Sequence, residues 1–211
     1  MKYNFITIEG NIGAGKTTLA NILSEKLNAR LILEEFADNP FLPKFYQQPE
    51  QYAFPVEMFF LAERYKQLKE LLPTKDIFKT KTISDYLFTK CLLFAKVNLR
   101  EEEFRVYQKF FDIIQPQIPH PELLIYLHAP VSKLKVQIKQ RNRKIEDGIS
   151  DEYLFKLQET YTNYIRQHNI KTLFIDTTNA DFINNNAHLE AVLDALDKDY
   201  EIGQHYLTLP G

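Results

Sequence analysis

Gly10, Gly15, Lys16 and Thr17 fill the fixed places of the phosphate-loop pattern G-x-x-x-x-G-K-[ST], within the stretch Gly10-Asn11-Ile12-Gly13-Ala14-Gly15-Lys16-Thr17-Thr18. Glycines let the backbone curl until successive N–H groups face one anion. Lys16 brings a cation to the β- and γ-phosphates, and the Thr17 hydroxyl suits Mg²⁺. The helix expected after the loop turns its positive end toward the same phosphates.

Other residues extend this chemistry. Arg141, Arg143 and Lys144 lie on a charged, irregular stretch with Glu146 close behind. Alone they read as a solvated basic turn. Beside a phosphate loop they read as an arginine-bearing lid, about 141–150, because phosphoryl transfer runs on positioning and charge neutralisation. Glu34 and Glu35 end an apolar run, where a carboxylate can take the proton of an attacking hydroxyl or be an exposed acidic pair. Asp85 also follows an apolar run, and it can hold Mg²⁺ through water, cap a helix, or do both. Cys91 reads as a small buried hydrophobe with no catalytic role.

These residues need a scaffold. Tyr3 to Glu9 is apolar and β-branched, as a buried parallel strand should be. Leu19, Ile22, Leu23 and Leu27 then recur at helical spacing. Further strands are expected at Ala29–Leu33, Thr82–Asp85, Leu123–Leu127 and Thr172–Asp176. Helices are expected at Pro49–Leu72 (with Pro55 near its start), Leu87–Lys96, Glu101–Gln117, Val131–Gln140, from a cap at Asp151 to about His168, and His188–Leu196. This alternation predicts an α/β fold with a five-stranded parallel sheet flanked by helices. We expect a single domain over residues 1–211, with a C-terminal tail from about 198. In such sheets ligands bind beyond the strands' carboxyl ends, where the loop, Glu34, Glu35 and Asp85 gather.

Bulk properties set bounds. The chain has 211 residues, 45% of them hydrophobic and 26% charged, which fits an ordinary globular protein. Its net charge of −2 argues against nucleic acid or a membrane surface as partner. A lone cysteine excludes an internal disulfide and fits a reducing compartment. No apolar leader or membrane-length run is present, so a cytoplasmic setting is expected.

With these motifs in place, the sequence resembles the deoxynucleoside kinases from its first strand to about Asp176. Gly10 to Thr17 has that family's form of the loop. Glu34 with Asn39-Pro40-Phe41-Leu42 is similar to the bacterial pattern E-P-V-x-x-N-P-Y-L, so the resemblance puts the catalytic base on Glu34. One residue of slip would move it to Glu35. The segment from Tyr46 to Phe54 resembles the one whose tyrosine meets the sugar 3′-hydroxyl. The lid arginines fall on Arg141 and Arg143, and a second 3′-hydroxyl ligand falls on Glu146. The resemblance implies ATP and Mg²⁺ as cofactors, transfer to a 5′-hydroxyl in nucleotide salvage, and a homodimer through the helices after Pro49 and after Asp85.

Three departures stand out. The family's D/E-R-S/T motif reads Asp85-Tyr86-Leu87, so a tyrosine takes the place of the arginine near the base carboxylate. A base-reading glutamine is replaced by Glu57, while Arg64 is kept, and Cys91 replaces a common acid. Arg64 is expected to hold Glu57 ionised, and a carboxylate accepts the adjacent N1–H and N2–H₂ of guanine. A purine substrate with deoxyguanosine ahead of deoxyadenosine follows. A salt bridge between Glu57 and Arg64 without base readout is the alternative, as is a protonated Glu57 that mimics glutamine. Two other functions stay open: another phosphate-loop kinase, such as one for nucleoside monophosphates, and a nucleotide-binding regulator that has lost activity.

Overall fold

The computed structural model describes residues 2–35, 39–72, 78–143, 146 and 148–211. Its first strand, β1 (Phe5–Gly10), is buried from Ile6 onward, which only a strand covered on both faces allows. The loop then enters α1 (Lys16–Lys26), which buries Leu19, Ala20, Leu23 and Ser24. Short strands β2 (Arg30–Ile32) and β3 (Thr82–Ser84) flank α2 (Leu42–Gln47) and the long α3 (Pro49–Leu71). Two helices follow, α4 (Lys90–Asn98) and α5 (Glu101–Ile114), then β4 (Leu123–His128) and α6 (Val131–Arg141). The chain closes with α7 (Asp151–Gln167), β5 (Lys171–Asp176), α8 (Asn186–Leu196) and β6 (Gly203–Leu207).

The sheet has six strands, not five, in the order β2-β3-β1-β4-β5-β6. Every pairing is parallel. β6 lies within the expected tail and escapes pattern reading because Gly203-Gln204-His205-Tyr206-Leu207 is an edge strand, half-buried at most, with polar residues on it. Tyr206 stacks on Phe174 of β5 with centroids 5.3 Å apart, which ties that edge down.

Element ends differ from expectation where caps decide them. Ser150, not Asp151, caps α7: its side chain accepts from the Tyr153 N–H at 3.1 Å. Pro55 lies inside α3 rather than in its first turn, which Pro49 occupies. α4 starts three residues later than expected, at Lys90. Within the expected lid, Arg141 is the last residue of α6, whose end Asn142 turns at φ 52°, and Lys144, Ile145 and Asp147 lie outside the described residues. β1 is central, and the chain passes from its one neighbour β3 to its other neighbour β4. That reversal opens a crevice at the end of β1, where the phosphate loop sits.

Candidate active site

The loop is built by its own backbone. Gly13 (φ 81°) and Gly15 (φ 88°) take left-handed conformations that L side chains avoid. At Gly13 space matters too, since a Cβ would sit 2.9 Å from both Ile138 Cγ1 and the Leu134 carbonyl of α6. Asn11 donates to the Leu154 carbonyl at 2.7 Å and accepts from the Ile12 N–H at 2.8 Å, and the Ala14 N–H closes onto the Asn11 carbonyl. Lys16 Nζ donates to the carbonyls of Gly10 and Asn11, both at 2.9 Å. Burial, and after it Lys90, lowers the Lys16 pKa to about 8 against the pull of Glu9, Glu34 and Asp85. Thr17 and Thr18 are exposed at the mouth of α1.

Asp85 joins the loop to the acceptor side. One oxygen accepts from the Thr17 hydroxyl at 2.6 Å and the other from the Glu34 N–H at 2.7 Å. Glu34 reaches the cavity while Glu35 is exposed. Arg64 Nε donates to Glu34 Oε1 at 2.8 Å, and Lys90 Nζ donates to Oε2 at 2.5 Å. Burial alone would raise the Glu34 pKa, but Lys90 and then Arg64 outweigh it and hold the carboxyl below the usual carboxylate range.

Arg64 does not meet Glu57 as expected. Its guanidinium is spent on Glu34, on Cys91 Sγ at 3.1 Å, and on the Phe60 ring 4.7 Å away. Glu57 Oε1 instead accepts from Asn98 Nδ2 at 2.6 Å, and its buried Oε2 finds no partner among the described residues. Burial pushes the Glu57 pKa up to about 7. Tyr86 is 1% exposed and donates to Gln67, inside the core rather than in the cavity.

Arg141, Arg143 and Glu146 gather over the loop. Arg141 Nε donates to Glu146 at 3.2 Å and Arg143 Nη1 at 3.5 Å. Together with Ile12, Lys16, Thr17, Glu34, Tyr46, Arg64, Asp85 and Lys90 they line one cavity of about 120 Å³. Tyr46 also lines a second cleft of about 340 Å³, bounded by Phe45, Asn98, Ile149 and Tyr153. Burial, then Glu146 and Glu57, raises the Tyr46 pKa, so its hydroxyl keeps its proton.

Three residues in this architecture escape motif reading. Glu9 is fully buried and accepts from the Gly10 N–H at 3.1 Å, the Leu87 N–H at 2.8 Å and the Tyr161 hydroxyl at 3.0 Å, which ties the loop to α7. Its signal was a carboxylate inside an apolar strand. Lys90 lies inside the expected Leu87–Lys96 helix and, like Asn98, belongs to no motif.

The sequence profile of the deoxynucleoside kinase family matches residues 6–200. A deoxyguanosine kinase of Bacillus subtilis (strain 168) is 37% identical over 196 residues, 89% of this chain and 93% of that one. A deoxyadenosine/deoxycytidine kinase of the same organism is 29% identical, with 92% of each chain covered. In fold, the chain matches the structure of deoxyadenosine kinase from M. mycoides with bound dATP at a TM-score of 0.78 and 24% identity, covering 92% of this chain and 99% of that one. The chain belongs to the deoxynucleoside kinase family and is a phosphotransferase that acts on a hydroxyl acceptor.

Proposed function

We propose that this enzyme moves the γ-phosphate of ATP to the 5′-hydroxyl of a purine deoxynucleoside, in nucleotide salvage, with deoxyguanosine preferred above neutral pH. The observation that carries the reading is the common cavity, which sets Glu34 beside Lys16, Thr17 and Asp85 with Arg141 and Arg143 overhead. The loop residues Gly10 to Thr18 would cradle the triphosphate. Thr17 and Asp85 offer adjoining oxygens of the hard type that Mg²⁺ takes, one carboxylate and one hydroxyl, with phosphates to complete the shell. A metal held by Thr17 and Asp85 would supply neutralising charge to the phosphates.

Glu34 orients the 5′-hydroxyl and receives its proton. Its lowered basicity suits a loose transition state, in which little proton transfer precedes bond formation to phosphorus. Tyr46 and Glu146 meet the 3′-hydroxyl and leave little room at the 2′ position, which favours deoxyribose. As Arg141 and Arg143 now hold Glu146, substrate would draw the arginines toward phosphate and close the lid.

The larger cleft beyond Tyr46, at about 340 Å³, is of the size small-molecule sites have and would take the base. Glu57 lines neither cavity; it stands behind the cleft's wall and holds Asn98, which does line it, so it would act on the base through that amide. As a carboxylate Glu57 would hold the Asn98 amide N–H₂ and leave the amide's carbonyl oxygen to accept from guanine, whereas the protonated acid can donate to that carbonyl and free the N–H₂ for adenine. The higher identity to a deoxyguanosine kinase than to a deoxyadenosine/deoxycytidine kinase supports the guanine preference. We further propose a single domain, a homodimer and a cytoplasmic setting; among the described residues no helix is long and apolar enough to cross a membrane.

The test is ADP release with Mg·ATP and each of the four deoxynucleosides, their monophosphates, or no acceptor, with Lys16→Ala as control. Turnover should be greatest with deoxyguanosine and fall on the order of 10²–10³-fold in the variant, the loss expected for one transition-state charge contact. Turnover only with monophosphates would overturn the reading.

A further inference from the structure

Position 86 cannot supply a cation to the reacting centre, because it is a tyrosine turned into the core against Gln67. Lys90, one turn on, can. Its place is costly: it is the first residue of α4, where the helix dipole opposes a cation, and it is 6% exposed. Such a charge persists only when it is paired. Lys90 Nζ meets Glu34 Oε2 at 2.5 Å and lies 5.4 Å from the centre of the Phe94 ring.

The two cations on Glu34 differ in what they have left to give. Arg64 is a rigid fork whose Nε, Nη1 and Nη2 are committed to Glu34 and Cys91. An ammonium is a compact charge with three donors that can be redirected by rotation. Lys90 also lines the cavity with Lys16, Thr17 and Asp85, and it is near enough to Lys16 to depress that lysine's pKa.

We propose that Lys90 is a catalytic residue, shared between Glu34 in the resting enzyme and the phosphoryl group during transfer. The inference rests on the kinase reading given above. In the step, a lone pair of the 5′-oxygen forms the new bond to the γ-phosphorus. The bond from that phosphorus to the β–γ bridging oxygen breaks, and its electrons leave with ADP. The hydroxyl proton passes to Glu34. Lys90 keeps its own protons. It contributes charge to the equatorial oxygens and, in moving toward them, uncovers Glu34 Oε2 for the hydroxyl.

The experiment is steady-state kinetics on Lys90→Met, Lys90→Gln, Lys90→Arg and the double variant Lys90→Met with Tyr86→Arg. Equilibrium binding of deoxyguanosine and thermal melting would be followed on each. We expect kcat of the Met and Gln variants to fall on the order of 10²–10³-fold. Both KM values should stay within about threefold, since the contact is made in the transition state. Lys90→Arg should keep kcat within about tenfold of wild type, because charge is restored. Arginine at position 86 should restore nothing, as that side chain points into the core. A kcat within about threefold of wild type in both neutral variants would overturn the proposal, as would a loss confined to KM. If Lys90→Met fails to fold, Lys90→Gln with normal deoxyguanosine binding decides. Wild-type protein that phosphorylates no nucleoside would instead defeat the kinase reading itself.

Discussion

Half-buried Glu34 and buried Glu57 both lie near Arg64, and they are driven in opposite directions. Glu34 is held ionised by two cations, whereas Glu57, with Asn98 as its partner, is raised to about 7. Glu34→Gln keeps the shape but cannot take a proton, so kcat should drop by roughly 10²–10⁴ with nucleoside affinity little changed, while exposed Glu35→Gln should stay near wild type. Steady-state kinetics on the pair checks this, and the reverse order would move the base to Glu35. For Glu57 the sign follows from its raised pKa. Below about pH 7 the neutral acid dominates and adenine gains; above it the carboxylate dominates and guanine gains. The ratio of kcat/KM for deoxyguanosine over deoxyadenosine should therefore climb between pH 6 and pH 8, by about ten- to a hundredfold if the mismatch is worth 1–3 kcal/mol and both forms bind. In Glu57→Gln that ratio should be flat with pH. A slope unchanged by the substitution would take Glu57 out of base recognition. Glu57 was visible in the sequence, but its partner was not: Arg64 lies seven residues along the same helix face, and only the fold reveals that Glu34 claims it first.

At the scale of elements, the loop depends on α6 as much as on its own glycines. Gly13 and Gly15 have nearly the same φ, yet a Cβ at Gly15 meets nothing within 4 Å, while one at Gly13 collides with Ile138 and Leu134. Both alanine substitutions carry the left-handed penalty of roughly 1–2 kcal/mol. Gly13→Ala adds an overpacking cost of about 1–3 kcal/mol. Urea unfolding should thus rank Gly13→Ala below Gly15→Ala, and an equal loss would mean that α6 yields. Gly15 is fixed by the motif and can be read from sequence. Gly13 stands at a free motif position, and its role arises from an element more than a hundred residues later. Strands β1 and β4 were legible because both faces are buried and their apolar runs are unbroken. β6 was not, since an edge strand needs only its neighbour's hydrogen bonds and one stacked tyrosine. The cap of α7 moved to Ser150, which lies outside the periodic pattern, whereas α4 begins at Lys90 with no side-chain cap on Thr89.

For the whole molecule, the site accounts for one side of the sheet's carboxyl edge and leaves another surface unexplained. On α5, Tyr107 and Phe111 are buried, but Val106, Phe110 and Ile113 are 46%, 45% and 68% exposed. Their spacing of four and three residues sets them in one stripe along the helix. Isolated exposed apolar residues are ordinary, whereas a contiguous stripe marks an interaction surface. α5 follows Asp85, the region through which the proposed homodimer would form. A two-fold contact would lay this stripe against its own copy, so that one substitution acts twice across the axis. Phe110→Asp combined with Ile113→Asp places four like charges in such an interface and should give a monomer by light scattering at micromolar concentration. The catalytic cavity draws on α1, α2, α3, α4 and α6 and on the segments that follow β1, β2 and β3, and includes no residue of α5. The monomer should therefore keep kcat within about threefold while melting earlier, because association stabilises by mass action. A double variant that stays dimeric would place the interface elsewhere, and a wild-type protein that is itself monomeric would leave the stripe free for a different partner.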